Sequence, residues 1–349
     1  MLVEHLELVD FRNYRQVTFN LTAGTTCIVG QNGQGKTNLA EALAYLSGLT
    51  SFRQAPLDAL IRVGADQAII RAQIVEADGR QSLVEVEISR VRRGRVQVNR
   101  QRLQRTRDLL GTVRTSVFSP DDLTLVKGGP GERRRFLDDT LVALATKNDA
   151  LRLEVDRVLK QRNTLLRQCG GRLNDDESTT LDVWDSRLVE VGERLGRARA
   201  ALVERLKPLV AEAYQQLAGE SNTMSLAYDP QWRHEGLAVA LATARRDDVR
   251  RGVSTVGPHR DDVDLSVNEL PARTHASQGE QRTLALSLRL GAHRLVPIMW
   301  GQVQFSSSTM SCRNSITIGQ RRCWENCRQA KWSSQLRHRC HRLPGLNAS

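Results

Sequence analysis

The chain has 349 residues, 40% of them hydrophobic, which is enough to bury one large core or two moderate ones. Its net charge of +12 suits a polyanionic partner, nucleic acid above all, while an aromatic content of 4% argues against a large base-stacking platform. No run approaches about 18 apolar residues and the start has no apolar core like that of a signal peptide, so we expect a cytoplasmic protein without a membrane span.

The first part of the chain is predicted to be rich in β-strands. The stretch "HLELVDFRNYRQVTFNL" alternates apolar and polar residues like two strands joined by a turn, and "AIIRAQIVE", "SLVEVEISRV" and "RVQVN" have the pattern of further strands. Between them, the short β-prone run "TTCIVG" is followed by the helical spacing of "KTNLAEALAYLSGL". A glycine-rich loop therefore lies between a strand and a helix.

Residues 30–37 match the phosphate-binding pattern G-x-x-x-x-G-K-[ST] in full, with an accidental glycine-rich turn as the alternative. Backbone N–H groups of such a loop point at phosphate oxygens, and the following helix adds the positive end of its dipole. Lys36 is expected between the β- and γ-phosphates of ATP, and the Thr37 hydroxyl is expected to ligate Mg²⁺. The predicted ATP-binding residues are Gly30, Gln31, Asn32, Gly33, Gln34, Gly35, Lys36 and Thr37.

Arginines are concentrated between residues 90 and 107, where there are eight of them and no acid, on a hairpin predicted to turn at Arg93-Gly94. DNA backbone phosphates are natural partners for such an edge, and a solvated hairpin is the alternative. A second cluster at 133–135 lies on a predicted helix, where at most two of three consecutive side chains can face one surface. The DNA-binding candidates from these clusters are Arg92, Arg93, Arg95, Arg133 and Arg134.

Beyond residue 119 the pattern becomes helical. Apolar residues of 151–169 lie mostly on one helical face, and those of 181–202 step by three and four over three heptads. The polar connector "GGRLNDDESTT" predicts an antiparallel helix hairpin, with an ordinary helical bundle as the alternative. Further on, His259 and Asp261 in "VGPHRDD" fit equally well a nucleotide-sensing interface and a network within a turn.

The stretch "HASQGEQRTLALSLRL" places a serine and a glycine just before an apolar-striped helix. It resembles the signature loop of ABC-type ATPases, which caps the γ-phosphate bound by the other subunit, and it therefore implies an ATP-dependent head-to-tail homodimer. The alternative is a plain helix start in which Ser277 and Glu280 form a capping box, and the spacing fits that equally well. The signature residues are Ser277, Gln278, Gly279 and Glu280.

Five stretches in order, "LVDFRNY", "GQNGQGKTN", "LTSFR", "SPDDLTLVKGGPGERRRFLDD" and "VGPHRDD", resemble those of the RecF family, recombination-repair ATPases related to SMC and Rad50 heads. The resemblance runs from residue 1 to about 296. It implies a cytoplasmic clamp that dimerises on ATP, binds single-stranded or gapped DNA, acts with RecO and RecR to load recombinase, and induces the SOS response. Lys36 and Thr37 match the family's nucleotide grip, Ser277 matches its trans-acting serine, and Arg53 is a candidate DNA sensor by analogy with related heads.

The fold class predicted is α/β, an ABC-type P-loop ATPase head with an inserted helix-hairpin lobe. The ATPase lobe is assigned to residues 1–118 with 251–296, and the helical lobe to 119–250. Rival interpretations are a metabolic P-loop kinase, which "SQGEQR" argues against, and a structural SMC-like head, which needs far longer coiled-coil arms. A third rival is a nucleotide-independent DNA-binding module.

One expected element is missing from the sequence. ABC-type ATPases need an apolar strand ending in two acids after the signature helix, because those acids orient Mg²⁺ and the attacking water. After Val296 this chain reads "PIMWGQVQFSSSTMSCRNSITIGQ", so no catalytic residue is identified. A slip of one nucleotide within "QFSSSTMS" permits "VLLLDDV", and we therefore interpret residues 297–349 as a frameshifted tail that is poorly ordered.

The tail also has a distinct composition, since it contributes +7 of the +12 charge and holds four of the six cysteines. A genuine basic tail with a zinc site is the alternative, although the spacing of its two histidines is short for the common finger. If the slip is real in the organism, we expect a chain that binds nucleotide but is defective in hydrolysis; otherwise we expect a weak DNA-dependent ATPase. The zinc ligands would be Cys323, Cys327, His338, Cys340 and His341.

Overall fold

The computed structural model describes residues 2–23, 26–76, 78–113, 115–219, 222–296, 303–306, 315–319 and 340–342, with the backbone alone in the last three ranges. The chain divides into two compact units, one formed by residues 1–121 with 298–349 and the other by residues 122–297. Each unit has its own buried apolar clusters.

The elements up to residue 121 are β1 (Leu2–Phe11), β2 (Tyr14–Asn20), β3 (Thr26–Val29), α1 (Lys36–Gly48), α2 (Leu57–Leu60), β4 (Gln67–Val75), β5 (Gln81–Ser89), β6 (Arg95–Val98), β7 (Gln101–Arg102) and β8 (Thr115–Phe118). Those of the second unit are α3 (Thr124–Lys127), α4 (Pro130–Leu144), α5 (Lys147–Gln168), α6 (Asp175–Ala218), β9 (Met224–Ala227), α7 (Trp232–Glu235), α8 (Leu237–Arg251), β10 (Asp264–Val267), β11 (Leu270–Pro271), α9 (Ala272–His275) and α10 (Gln278–Leu295). The last strands are β12 (Val303–Ser306), β13 (Ser315–Gly319) and β14 (Cys340–Arg342).

An antiparallel sheet in the order β2-β1-β4-β5-β6-β7 forms much of the first unit. Strict alternation along β4 buries Ala68, Ile70, Ala72 and Ile74, as expected for a strand with one face on the core. The edge hairpin β6–β7 turns through residues 99–100, both of which have positive φ, a conformation that suits a two-residue hairpin turn. The arginine-rich stretch predicted as a hairpin therefore forms the outer edge of this sheet.

A second sheet, in the order β14-β3-β13-β12-β8, places the P-loop. Strand β3 pairs in parallel with β14 and antiparallel with β13, and β12 pairs in parallel with β8. The loop after β3 leads directly into α1, whose residues Leu39, Leu43 and Leu46 are fully buried. The predicted strand, glycine loop and helix are thus present in that order.

The three short strands β12, β13 and β14 are all that the structure describes of residues 297–349. The acid-free stretch at 307–314 and the proposed zinc ligands Cys323, Cys327 and His338 lie outside the described residues. The frameshift and the poor order of the tail therefore stay predictions.

The predicted antiparallel hairpin is formed by α5 and α6, whose apolar faces meet in one cluster that includes Val155, Leu188 and Leu195. Helix α6 begins earlier than the connector "GGRLNDDESTT" suggested. The Asn174 side chain accepts the Glu177 N–H at 2.8 Å, and Glu177 Oε2 accepts the Asn174 N–H at 2.9 Å. This capping box makes the acidic residues 175–177 the first turn of the helix, where the helix dipole favours negative charge.

Residues 251–296 lie in the second unit with the helix hairpin, and this corrects the predicted grouping with residues 1–118. Helix α10 packs along α6 so closely that a Cβ on Gly291 would lie 2.5 Å from Val210 Cγ2. Strand β10 pairs with β9, which follows α6 in the chain. The helical lobe therefore shares its core with the signature helix.

Candidate functional site

The P-loop adopts the backbone that its glycines permit. Gly33 and Gly35 have φ of 86° and 95°, in the left-handed region that other residues occupy at a cost. Helix α1 starts at Lys36 without a side-chain cap, and the Asn38 N–H donates to the Gly35 carbonyl at 2.8 Å, so the N–H groups of Lys36 and Thr37 are the ones that can serve a ligand. Gln31, Asn32, Gly33 and Thr37 are exposed, which leaves the loop and the Thr37 hydroxyl open to a triphosphate and its metal.

Lys36 is held against the loop that it would share with phosphate. Its Nζ donates to the carbonyls of Gly30 at 2.8 Å and Gln31 at 2.7 Å, and the residue is 9% exposed. Burial lowers the pKa of this ammonium, since no carboxylate is paired with it among the described ion pairs. A phosphate would supply the missing negative charge, so the site is arranged to favour an anion.

The turn between β1 and β2 supports the P-loop from behind. The Tyr14 hydroxyl donates to the Gly35 carbonyl at 3.0 Å, and Asn38 Nδ2 donates to Asn13 Oδ1 at 2.8 Å. Burial raises the pKa of Tyr14, which keeps its hydroxyl protonated. A Cβ on Gly35 would lie 2.6 Å from Asn13 Oδ1, so this glycine is required by space as well as by φ.

A buried carboxylate on α1 ties two other segments of the chain to the P-loop helix. Glu41 is 0% exposed, and Arg12 donates to it through Nε at 2.8 Å and Nη2 at 2.6 Å. The Ser51 hydroxyl donates to the same carboxylate, and Arg53 Nη1 lies 3.8 Å from it. In the sequence, the stretches "LVDFRNY" and "LTSFR" show only a family resemblance. The structure adds that Arg12 of the first and Ser51 and Arg53 of the second meet at Glu41, although they lie far apart in the chain.

Arg53 is therefore next to the P-loop helix. Its Nη1 donates to Asn38 Oδ1 at 3.2 Å, and 42% of its side chain is exposed. It has solvent access for a ligand while it remains in contact with α1. The predicted role as a DNA sensor stays a prediction.

The signature segment has the capping box that was one of its two interpretations. Ser277 Oγ accepts the Glu280 N–H at 3.3 Å, and Glu280 Oε2 accepts the Ser277 N–H at 2.7 Å. These hydrogen bonds to Ser277 lower the pKa of Glu280. The Oγ atom accepts in the cap while its hydroxyl contacts the Glu280 carboxylate, a contact that a phosphate oxygen would replace. Because Ser277, Gln278 and Gly279 are exposed, capping and capture of a nucleotide are compatible.

The arginine-rich edge of the first unit is open to solvent. Arg92 is 64% exposed and lies 2.9 Å from Glu87 Oε1, while Arg95 is half-buried and lies 3.2 Å from the same carboxylate. Glu87 therefore offsets only part of the positive charge. The remaining arginines of this edge are exposed, namely Arg90, Arg93, Arg100, Arg102, Arg105 and Arg107.

Arg133 and Arg134 do not belong to an open surface. Arg133 is 7% exposed, and its guanidinium donates to Asp262 at 2.6 and 2.8 Å and to the carbonyls of Leu125 and Gly128. Arg134 Nη1 donates to the Asp261 carbonyl at 2.6 Å, and burial lowers its pKa. Four of the five N–H donors of Arg133 are used within the second unit and the residue is buried, so its contacts favour a bracing role there over the predicted DNA contact.

The stretch "VGPHRDD" forms a buried turn network. The carboxylate of Asp261 accepts hydrogen bonds from the Tyr228 hydroxyl and from Trp232 Nε1, and burial raises its pKa. His259 Nε2 lies 3.0 Å from the Ser254 carbonyl, and burial lowers the pKa of this imidazole to about 4. Of the two interpretations left open, this geometry favours the turn network.

Comparison with known proteins agrees with these features. Residues 2–299 match the sequence profile of the RecF/RecN/SMC N terminal domain family. A "DNA replication and repair protein RecF" from Streptomyces avermitilis is 46% identical over 85% of this chain and 83% of its own length. One from Frankia alni is 45% identical over 85% and 82%. No described helix is long and apolar enough to cross a membrane.

Among solved structures, the recombination mediator protein RecF with ATP, described within the RecFOR pathway, superimposes with a TM-score of 0.78. Its sequence is 26% identical, and the match covers 84% of this chain and 80% of that one. A second RecF structure, with a thio analogue of ATP, gives a TM-score of 0.77 at 26% identity over 84% and 81% of the chains.

Proposed function

Since the chain belongs to the RecF family, within the RecF/RecN/SMC group, we propose that it is an ATP-dependent DNA-binding protein of recombinational repair and replication restart. The observation that carries this proposal is the P-loop, in which Lys36 is held by two loop carbonyls and α1 begins uncapped. ATP binding is supported by the solved RecF structures with ATP and its analogue.

The described residues fit MgATP. The N–H groups of the loop and of the first turn of α1 would hold the phosphates, and Lys36 would exchange its carbonyl partners for phosphate oxygens. The exposed Thr37 hydroxyl would ligate Mg²⁺, which when bound neutralises the developing charge on the phosphates. The Arg12–Glu41 ion pair and the Tyr14 hydroxyl would keep the loop in place.

A second copy of the chain completes the proposed site. Ser277 lies on an exposed turn, and its hydroxyl would turn from the Glu280 carboxylate to a γ-phosphate bound by the partner subunit. Formation of this head-to-tail dimer on ATP is the step through which nucleotide would control DNA binding.

DNA is the proposed macromolecular ligand. The exposed arginines of β6, β7 and the adjoining turns form a basic edge without interleaved aromatic residues, which suits backbone phosphates rather than bases. We extend to this chain the family's preference for single-stranded or gapped DNA in the bacterial cytoplasm. Cooperation with RecO and RecR, loading of recombinase and induction of the SOS response belong to the same proposal.

Hydrolysis is a separate matter, because no acidic strand follows α10 in this sequence. The family match ends at residue 299, three residues beyond Val296, which supports a change of reading frame at that point. The alternative function is therefore a nucleotide-binding, hydrolysis-defective DNA-binding module. The genomic DNA tests the frameshift. If the −1 frame beyond residue 297 does not encode an apolar run followed by acids, the frameshift is excluded.

Self-association tests the main proposal. We expect the full chain with a slowly hydrolysed ATP analogue and Mg²⁺ to dimerise in sedimentation and to bind gapped DNA more tightly than the nucleotide-free chain. The Lys36→Ala variant should do neither, while its melting temperature without nucleotide stays close to that of the unaltered chain. If nucleotide changes neither the molecular mass measured by sedimentation nor the affinity for gapped DNA, the proposal fails.

A further inference from the structure

Two buried polar atoms lie beneath the signature segment without a hydrogen-bond partner among the described residues. One is the hydroxyl of Tyr214, a residue of α6 that is 0% exposed. The other is Oε1 of Gln281, a residue of the first turn of α10 that is 4% exposed. Buried polar groups are normally paired, so each of these two atoms calls for an explanation, and a second arrangement that pairs them is one.

The position of each orphan is fixed by packing. Gln281 Nε2 donates to the carbonyls of Ala272 at 3.1 Å and Arg273 at 3.3 Å, and only the N–H₂ end of the amide can serve two carbonyls. Its Oε1 is therefore turned away from them. The Tyr214 ring packs in one cluster with Ala272, Leu284 and Ala285, the residues on either side of the signature turn.

The two orphans are chemically complementary. A tyrosine hydroxyl has one proton to donate, and an amide oxygen accepts. Ala272 links the two residues, because Tyr214 packs in its cluster and its carbonyl accepts from Gln281 Nε2. Burial raises the pKa of Tyr214, and the Glu280 carboxylate adds to this effect. The tyrosine therefore remains a donor at neutral pH.

We propose that Tyr214 is a positioning residue for the signature segment: when Ser277 engages the partner subunit's nucleotide, the Tyr214 hydroxyl donates to Gln281 Oε1. This bond holds residues 277–281 in the engaged position and ties the phosphate contact to α6. The inference rests on the proposed ATP-dependent dimer and adds a residue to it that touches neither nucleotide nor DNA.

Removal of the Tyr214 hydroxyl tests the proposal, because it should not destabilise the nucleotide-free chain but should weaken the ATP-dependent dimer. In the full chain, Tyr214→Phe removes a buried hydroxyl without a partner, so the melting temperature without nucleotide should stay the same or rise. The concentration of ATP analogue that gives half-maximal dimerisation should rise about fivefold, the effect of one hydrogen bond lost only in the dimer. Binding of a fluorescent ATP analogue to the dilute monomer should not change.

Tyr228→Phe is the matched control, because this tyrosine hydroxyl is also buried but is bonded to Asp261. It should lower the melting temperature and leave the concentration for half-maximal dimerisation unaltered. A cycle with Gln281→Met adds a second measurement: the double variant should dimerise no worse than the weaker single variant, because the pair acts as one contact.

The possible results distinguish the role of Tyr214 from the proposed ATP-dependent dimer on which it rests. If Tyr214→Phe dimerises within twofold of the unaltered chain, or if the cycle is additive, Tyr214 is a packing residue and the inference is overturned. If the unaltered chain itself does not dimerise with the ATP analogue, the proposed function fails and this inference fails with it.

Discussion

At the scale of single residues, the nucleotide site depends on contacts made behind the P-loop. Tyr14 and Asn13 fill the space beside Gly35, and Arg12 neutralises a carboxylate that has no access to solvent. These residues would not touch ATP. They fix the backbone that does, and their removal should therefore reduce nucleotide affinity through the loop.

The two left-handed glycines of the loop should respond differently to substitution. Gly33→Ala meets no atom within 4 Å and should cost only the backbone strain of positive φ, about 1–2 kcal/mol. Gly35→Ala adds a Cβ at 2.6 Å from Asn13 Oδ1 and should abolish binding of a fluorescent ATP analogue. Equal nucleotide affinity in the two variants would show that the space behind the loop is not limiting.

Glu41→Gln should destabilise the first unit by about 2–3 kcal/mol, because it leaves the partly buried Arg12 without its counter-ion. Urea unfolding measures the change. The matched control is Glu76→Gln, which removes one of the two carboxylate partners of Arg80, a side chain that is 73% exposed; we expect a much smaller loss there. Similar losses in both variants would contradict the role given to burial.

At the scale of elements, the edge hairpin β6–β7 is the proposed DNA surface. Replacing Arg93, Arg100 and Arg102 together by Gln should weaken binding to gapped DNA and reduce the slope of log affinity against log salt by about 2–3, since each phosphate contact contributes about 0.7–0.9. Arg250→Gln, which changes an exposed arginine of α8 in the second unit, is the control. A salt slope unchanged in the triple variant would place DNA elsewhere.

The turn around "VGPHRDD" makes the stability of the second unit depend on pH. The pKa of His259 is about 4 in the folded chain, against 6.5 for an unperturbed imidazole, so the unfolded chain binds more protons between these values. Stability therefore falls as the pH falls through 6.5 toward 4. From pH 7.5 to pH 5 this group should remove about 2 kcal/mol.

His259→Gln isolates that contribution, because the amide can still reach the Ser254 carbonyl but does not titrate. Urea unfolding at pH 7.5 and pH 5 should show a smaller loss in the variant than in the unaltered chain. The same loss in both would mean that His259 is not the group responsible.

At the scale of the whole molecule, nucleotide binding and nucleotide hydrolysis should be separable. The chain has the P-loop but lacks, after α10, an apolar strand ending in the two acids that would orient water. Restoring the −1 frame from residue 297 should therefore raise the rate of phosphate release at least about 100-fold, while affinity for ATP changes little. Lys36→Ala in the restored chain is the control. Equal rates with and without the restored frame would show that the acids come from elsewhere.

Features formed by neighbouring residues could be predicted from the sequence, whereas contacts between distant segments could not. The P-loop and the capping box at Ser277 depend on residues a few positions apart, and both could be predicted. The contact of Arg12 with Glu41 joins residues 29 positions apart, and the placement of residues 251–296 depends on Gly291 meeting Val210. A run of arginines in the sequence does not show which of them are buried. Arg133 was therefore a DNA-binding candidate, although its side chain is buried against Asp262.

Strand β3, which presents the phosphate loop, has β13 and β14 as its two neighbours. During synthesis the ribosome makes β3 almost 290 residues before β13, which at about 5–20 residues per second is a delay of about 15–60 s. Both hydrogen-bonding edges of that strand stay open meanwhile, and an open edge invites pairing with another chain. An early stop codon late in the message would thus impair folding at the opposite end of the chain, in the nucleotide pocket.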